Sequence, residues 1–219
     1  MHASVVKKAW RREWSRVVSE IKWSAQSIAI AQTSSSRYYQ RPDAENVYFD
    51  PTRTSLEGWG GRAMISKATG QWRPIVQVQA FSPGFETNDT GFMQRTDVIS
   101  STAIMQYVNE NPTKRFREKN LWTGTWQNRN FDGNTLERGV FADAFGTFSN
   151  YWNARANLFL TAGAFTDRLT RGGPLARAPS SWSSDQSFGS DDRKTGSFSG
   201  NTHADGSDDS STSRSAGIS

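Results

Sequence analysis

The segment Asn153–Asp167, NARANLFLTAGAFTD, has the most regular pattern in the chain and indicates the class of fold. Every second position holds a small or aliphatic residue: Ala154, Ala156, Leu158, Leu160, Ala162 and Ala164. Polar residues and a glycine lie between them: Arg155, Asn157, Thr161 and Gly163. A period of two is typical of a β-strand with unlike faces. About ten such residues match one tilted bilayer crossing of a barrel strand. They equally match a half-buried strand of a large antiparallel sheet.

The same period extends through the segments that precede this one. It occurs in residues 56–68 (LEGWGGRAMISKA), 71–81 (QWRPIVQVQAF), 97–109 and 135–152, which are separated by turn formers such as the DGN triplet at 132–134. Within residues 114–131, Trp122 and Trp126 share a face with Phe116 and Gly124. The sequence therefore predicts a mainly β fold, an antiparallel meander of long hairpins that forms part of a transmembrane β-barrel wall.

Both ends of the chain depart from this pattern. Apolar residues three or four apart predict a basic amphipathic helix over residues 1–31: Val6, Trp10, Trp14, Val17, Val18 and Ile21. This helix would pack on a larger body or lie on a membrane surface. Residues 201–219 are rich in serine and aspartate and predict a disordered tail. The barrel-type segment is expected at residues 32–200, with structured loops over 34–55 and 82–92.

Composition excludes several classes of function. The chain has no cysteine and two histidines, His2 and His203, so thiolate chemistry is absent, and we predict no metal site and no cofactor. The net charge of +5 is modest, and we expect no nucleic-acid partner. The sequence has neither a membrane-spanning helix pattern nor a secretory signal, which points to a truncated reading frame for an envelope protein. It gives no information on oligomeric state.

The candidate site residues fall in two places. Gly172, Gly173 and Pro174 predict a sharp, rigid inter-strand loop that holds Arg171 and Arg177 at a rim, where they could bind an anion. This stretch lacks the Lys-Ser/Thr of a phosphate-binding P-loop. Trp122 and Trp126, together with Trp59 and Trp72, are candidates for stacking on sugar rings. No pair of carboxylates stands out as catalytic, and the catalytic residues stay unassigned.

Five separated motifs resemble one uncharacterised family. They are QTSSSRYYQRPDA (32–44), DPTRTSLEG (50–58), FSPGFETNDTGFMQRTD (81–97), TRGGPLARAPSSW (170–182) and SDDRK (190–194). The family is a domain of unknown function, a barrel-type region of Gram-negative envelope proteins that follows a family-nine-like carbohydrate-binding domain. Some members are labelled as membrane-associated hydrolases. The resemblance covers residues 32–200 and implies a fragment of an outer-membrane β-barrel, with no catalytic residue to transfer.

Three hypotheses follow. The first is an outer-membrane barrel segment, linked to carbohydrate binding or uptake, whose partners are the lipid bilayer of the outer membrane and a saccharide. The second is a fragment of a membrane-associated hydrolase that acts on saccharide or peptide. The third is a soluble carbohydrate-binding β-sheet. We favour the first, and we expect the chain alone not to be an enzyme.

Overall fold

A computed structural model describes residues 2–7, 9–87 and 93–219, so residues 88–92 of the loop predicted over 82–92 lie outside the described residues. The described residues form one large antiparallel sheet of eleven strands. The strands of this sheet are β1 (His2–Lys7), β2 (Trp10–Lys22), β3 (Ser55–Lys67), β4 (Trp72–Phe81), β5 (Val98–Asn109), β6 (Phe116–Arg129), β7 (Thr135–Phe148), β8 (Asn153–Thr161), β11 (Ser181–Gly189), β12 (Ser199–Ser207) and β13 (Thr212–Ile218). The mainly β fold and the antiparallel meander are confirmed.

Each strand pairs with its neighbour along the chain, with one insertion between β8 and β11. There, β9 (Ala164–Thr166) and β10 (Ala176–Ala178) form a separate two-stranded sheet. Within the described ranges the large sheet is open, with β1 at one edge and β13 at the other.

The two ends of the sheet differ in their connections. The short-turn end carries the segments 68–71, 110–115, 149–152 and 190–198. The long-loop end carries the segments 23–54, 82–87, 93–97 and 162–180, together with the tight turns 130–134 and 208–211.

Strand register divides the sheet into an apolar face and a polar face. From β3 to β8 the apolar face presents Trp59, Ala63, Ile65, Trp72, Pro74, Val76, Val78, Ala80, Ile99, Ala103, Met105, Tyr107, Leu121, Val140, Ala142, Ala144, Ala154, Ala156, Leu158 and Leu160. Many of these side chains are exposed, for example Val76 by 47 % and Leu160 by 44 %. Polar residues interrupt this face in β2 (Arg12, Arg16), in β6 (Thr123, Thr125, Gln127, Arg129), in β7 (Arg138) and in β11 and β12 (Ser184, Gln186, Thr202).

The polar face is built from hydrogen-bonded side chains on neighbouring strands. Arg62 donates to Gln77 at 2.6 Å across β3 and β4, and Arg155 pairs with Asp143 at 2.8 Å across β7 and β8. The facing predicted for the segment after Asn153 agrees with the register. Leu158 and Leu160 lie on the apolar face, and Asn157 lies on the polar face opposite Asp143.

The helix predicted over residues 1–31 is wrong for most of its length. Residues 2–7 and 10–22 are strands, and the helix α1 is short, Ala25–Thr33. Ser24 caps α1 by accepting a hydrogen bond from the Ser27 backbone nitrogen at 3.2 Å. The error has a simple cause: Trp10, Trp14 and Val18 are four residues apart, which is an even spacing. It therefore fits one face of a strand as well as one stripe of a helix, and pairing with β3 selects the strand.

The C-terminal segment differs from the predicted disordered tail. Residues 199–207 and 212–218 form β12 and β13, and β12 pairs with β11 over its whole length. Composition was a poor guide because the backbone hydrogen bonds of the sheet need no large apolar side chain. Gly200 and Gly206 lie under the rings of Phe188 and Trp182, so small residues on β12 receive the aromatic side chains of β11.

The buried apolar core is small for a chain of this length. Its main cluster packs Ile28 of α1 against Tyr39, Val47 and Leu56 at the long-loop end. A compact chain of this mass exposes about 10,000 Å², whereas this one exposes 13643 Å². Much of the sheet is therefore left uncovered by the rest of the chain. Among the described residues no helix is long and apolar enough to cross a membrane.

Candidate functional site

The connections of the long-loop end meet at one buried arginine, Arg41. Its Nη2 atom lies 3.4 Å from a carboxylate oxygen of Asp97 and 3.5 Å from one of Asp132. Its Nη1 atom lies 3.6 Å from Asp167, and Arg95 forms a second ion pair with Asp167. These residues come from the connections after β2, β4, β6 and β8, so the ion pairs fix four connections relative to one another.

The carboxylates of this network also hold loop backbone. Asp132 accepts hydrogen bonds from the backbone nitrogens of Glu45 at 3.2 Å and Asn46 at 2.8 Å. Asp97 accepts one from the backbone nitrogen of Phe131 at 2.9 Å. Each of the two carboxylates therefore links the central arginine to the backbone of a neighbouring connection.

Two further arginines hold the connection between β4 and β5. Arg37 donates to the Phe85 carbonyl oxygen at 2.8 Å and pairs with Glu86 at 2.5 Å. Arg168 donates to the Gln94 carbonyl oxygen at 3.1 Å. The Arg37 guanidinium comes from the connection 23–54 and contacts the part 82–87. The Arg168 guanidinium comes from the connection 162–180 and contacts the part 93–97.

Burial raises the pKa values of two residues at this end. It raises the pKa of Asp97 above its usual value despite the nearby Arg41, and it raises the pKa of Tyr39 to about 12. Five buried polar atoms at this end have no hydrogen-bond partner in the described part of the chain: Nε of Arg37, Arg41 and Arg95, and Oδ1 of Asp43 and Asp167. The network's ionised groups are otherwise paired with each other, so its evident role is to position the loops.

The predicted sharp loop lies at the same end. Gly172 has a φ of 100°, as expected for a turn that needs glycine, and Arg171 also has a positive φ of 52°. A Cβ atom at Gly172 would lie 2.2 Å from Nε2 of Gln40. Thr170 closes the turn by donating to the Pro174 carbonyl oxygen at 2.9 Å. The loop is therefore shaped both by backbone conformation and by close approach to the β2–β3 connection.

The other predicted residues of this loop have different surroundings. Gly173 has no positive φ, and a Cβ atom there would lie 3.1 Å from Thr170. Arg171 and Arg177 are exposed and lie outside the buried ion-pair network. Arg177 lies in β10, opposite Phe165 of β9. The structure thus places both arginines at the edge of the loop assembly and does not join them into one site.

Trp122 and Trp126 lie on the polar face, half-buried. The ring centroid of Trp126 is 6.3 Å from that of Phe141 and 6.2 Å from that of Phe159. Trp122 lies directly opposite Asp143. The result is a strip of aromatic rings beside a carboxylate, on a face that also carries Ile75, Ile104 and Phe145.

The four tryptophans of the proposed soluble sugar platform do not share a surface. Trp59 and Trp72 lie on the apolar face, whereas Trp122 and Trp126 lie on the polar face. They can therefore form no common stacking surface.

Sequence reasoning missed a histidine held between two carboxylates on the polar face. Nδ1 of His203 lies 2.6 Å from Asp185, and Nε2 lies 2.9 Å from Asp205. Ser213 of β13 donates to Asp205 at 2.8 Å. The signal was the spacing of two between His203 and Asp205, which the prediction of a disordered tail obscured. No cluster suited to a metal ion occurs among residues 2–7, 9–87 and 93–219.

Comparison with known proteins gives one match. A domain of unknown function, DUF5916, matches residues 22–218. The chain belongs to the DUF5916 family. No curated protein and no solved structure matches it. The expected resemblance to an uncharacterised domain is confirmed at the level of the family. The DUF5916 match includes all five motifs quoted above.

Most of those motifs meet in space in this DUF5916 domain. Residues 32–44, 81–87, 93–97 and 170–182 belong to the long-loop end, and residues 50–58 lead from it into β3. Residues 190–194 lie at the opposite, short-turn end. The five sequence motifs therefore lie largely in the loops that the Arg41 network holds together.

Proposed function

We propose that the sheet is part of the wall of a β-barrel in the outer membrane, with its apolar face against lipid and its polar face towards the lumen. The main support is the apolar face from β3 to β8. It exposes large side chains across six neighbouring strands, for example Trp72 by 55 % and Val140 by 50 %. Monomeric soluble proteins rarely expose apolar patches above a few hundred Å², so the exposed apolar face supports a position against lipid.

The distribution of aromatic residues on the apolar face supports the same proposal. Trp59 lies near the long-loop end, and Trp72 and Tyr107 lie at the short-turn end. Between them the face holds aliphatic residues such as Val78 and Ala103. Aromatic residues on either side of an aliphatic band are typical of barrel strands, whose rings lie at the two membrane interfaces.

The connections agree with this orientation. Outer-membrane barrels have short turns at their periplasmic end and longer loops outside. By that comparison the short-turn end faces the periplasm, and the Arg41 assembly lies at the outer surface. The strands β3 to β8 contain 9 to 14 residues, enough for one tilted crossing of about 9–11 residues.

We further propose that the polar face binds saccharide. The strip formed by Trp126, Phe141 and Phe159 offers apolar ring faces. Trp122 adds a fourth ring beside Asp143 and Arg155, whose polar atoms suit sugar hydroxyls. Aromatic rings beside charged and amide side chains are the elements that a sugar-binding lumen requires.

Cysteine accessibility tests the orientation. The chain has no cysteine, so single substitutions can be labelled without background. Leu158→Cys and Asn157→Cys are a matched pair on adjacent positions of β8 and opposite faces. In phosphatidylcholine vesicles, a membrane-impermeant maleimide should react at position 157 at least about tenfold faster than at position 158, because lipid excludes the reagent.

The pair Val76→Cys and Gln77→Cys on β4 provides the same test at a second strand. A lipid-soluble nitroxide quencher should give the opposite order of accessibility at both pairs. Equal labelling of both members in both pairs would contradict the bilayer orientation.

A further inference from the structure

The apolar face carries a groove close to the short-turn end, with a volume of about 630 Å³. We call it the alanine groove. Its floor is formed by small residues on β7 and β8: Ala144, Gly146, Ala154 and Ala156. Tyr107, Phe116 and Leu121 stand along one side, and Gln186 stands along the other. On a face where neighbouring positions hold leucine and valine, four small residues leave room for an elongated apolar molecule.

An aromatic pair bounds the groove towards the short-turn end. The rings of Phe116 and Phe148 stack with centroids 4.9 Å apart. A Cβ atom at Gly146 would lie 3.3 Å from the Phe116 ring, so the glycine lets that ring lie against the sheet. The groove therefore has a rigid aromatic end rather than an open one.

A lysine without an acidic partner lies at this boundary. Nζ of Lys119 is 5.9 Å from the ring centroids of both Tyr107 and Phe116. Lys119 is half-buried, and no ion pair to it occurs in the described ranges. The neighbouring carboxylate, Glu118, instead accepts a hydrogen bond from Thr147 at 2.9 Å. A cation placed among rings and left without a counter-charge is available to an anion.

A second hollow of about 600 Å³ continues beyond the aromatic pair. It shares Phe116 and Phe148 with the alanine groove and adds Trp152 and the polar residues Arg115, Ser149 and Asn150. The segment 114–119 holds four basic side chains and one acidic one. An apolar groove bordered by Lys119 and a second hollow bordered by Arg115 thus lie on the two sides of one aromatic pair.

We propose that these two hollows bind one anionic phospholipid, with an acyl chain in the alanine groove and the phosphate between Lys119 and Arg115. The inference rests on the proposed bilayer orientation of the apolar face. The occupant is inferred from charge and shape: the apolar groove fits a hydrocarbon chain, and Lys119 and Arg115 on the two sides of the aromatic pair fit a negative headgroup. Polybasic segments at such a surface are attracted to anionic lipids.

Thermal unfolding of the full chain in an uncharged maltoside detergent tests the proposal. Added dioleoyl phosphatidylglycerol should raise the midpoint of unfolding, because a ligand that binds only the folded state stabilises it. Dioleoyl phosphatidylcholine at the same concentration should leave the midpoint nearly unchanged. The double variant Lys119→Gln, Arg115→Gln should lose most of the response to phosphatidylglycerol.

Two control variants separate the site from general surface charge and from general packing. Lys67→Gln removes a half-buried lysine on the same face and at the same end, outside both hollows, and should keep the full response. Ala144→Leu fills the groove and should reduce the response, whereas Ala142→Leu, two positions along the same face of β7, should keep it.

An equal response to the two lipids would overturn the proposal, and so would a full response in the double variant or an equal loss in Lys67→Gln. The cysteine labelling described above is independent of headgroup charge. If the bilayer orientation is wrong, the labelling in phosphatidylcholine vesicles will show it. If only the lipid site is wrong, the labelling will be as expected and the selectivity for phosphatidylglycerol will be absent.

Discussion

The two ends of the sheet both use arginine–aspartate pairs, but in opposite environments. At the long-loop end the side chain of Arg41 is 1 % exposed and faces three aspartates. At the short-turn end Arg193 pairs with Asp191 at 2.7 Å; the Asp191 side chain is 5 % exposed, whereas the Arg193 side chain is 54 % exposed. Arg193 also lies over the ring of Tyr151, at 3.0 Å from its centroid. Both partners of the ion pairs are buried at one end, whereas at the other end the aspartate is buried and the arginine is accessible to water.

This difference determines how much each end depends on one residue. A buried charge that loses its partner is strongly destabilising, and at the long-loop end the arginine and all three aspartates are buried. At the short-turn end only the aspartate is buried, and water already reaches the arginine. The long-loop end should therefore be more sensitive to single substitutions than the short-turn end.

The largest effect is expected from Arg41→Met. The substitution leaves Asp97 and Asp132 buried without their cation, and the free energy of unfolding should fall by about 3–5 kcal/mol. Urea unfolding in detergent measures it. Arg41→Lys keeps the charge but loses the planar fork of donors, so an intermediate loss is expected. Arg177→Met, an exposed arginine of the same end, is the control. Equal losses for Arg41→Met and Arg177→Met would contradict the comparison.

A smaller effect is expected in the Gly172 turn. Valine at position 172 must adopt a φ of 100° and displace Gln40, which should lower the free energy of unfolding by about 1–3 kcal/mol. Arg171→Ala should cost less than about 0.5 kcal/mol because the side chain is exposed. The same unfolding assay compares the two variants. A larger loss for Arg171→Ala would show that this arginine holds the loop by its side chain.

The smallest expected effects concern the pH dependence of the free energy of unfolding. The contributions of Asp191 and Asp97, one at each end, should change with pH in opposite directions. Hydrogen bonding to Arg193 lowers the pKa of Asp191 to about 2 from its usual 3.8, whereas burial raises the pKa of Asp97. The contribution of Asp191 to stability is therefore present above about pH 4 and is lost as pH falls towards 2. The contribution of Asp97 has the opposite sign: it is present below its usual pKa and is lost as pH rises through the raised value.

Carboxyl-carbon NMR titration in micelles measures both groups. Asp191 should titrate near pH 2 and Asp97 above 3.8. Arg193→Gln should raise the pKa of Asp191 towards its usual value and leave Asp97 unchanged. Similar pKa values for the two aspartates in the parent chain would contradict the difference between the ends.

The strands could be predicted because their pattern is local. Val76 and Val78 of β4, and Leu158 and Leu160 of β8, alternate with polar residues within a few positions, and each strand pairs with a chain neighbour. β2 could not be predicted, because the spacing of Trp10, Trp14 and Val18 fits helix and strand equally. Pairing with β3, more than thirty positions away along the chain, decides between them.

The candidate site was predictable only where the backbone itself determines it. Gly172 precedes a Gly-Pro pair, and its positive φ followed from that local sequence. The Arg41 network could not be predicted, because Asp97 and Asp132 lie 56 and 91 positions from Arg41 along the chain. Nothing local distinguishes those carboxylates from the other acidic residues of the loops.

The uniform pairing of the large sheet has one consequence for how a barrel could close. Successive neighbours from β1 to β13 all run antiparallel. Ten reversals separate the two edge strands of the eleven-stranded sheet, so β1 and β13 point in the same direction. Joining them directly would require a parallel seam. A barrel that contains this sheet and pairs only antiparallel must therefore contribute an odd number of additional strands between these edges.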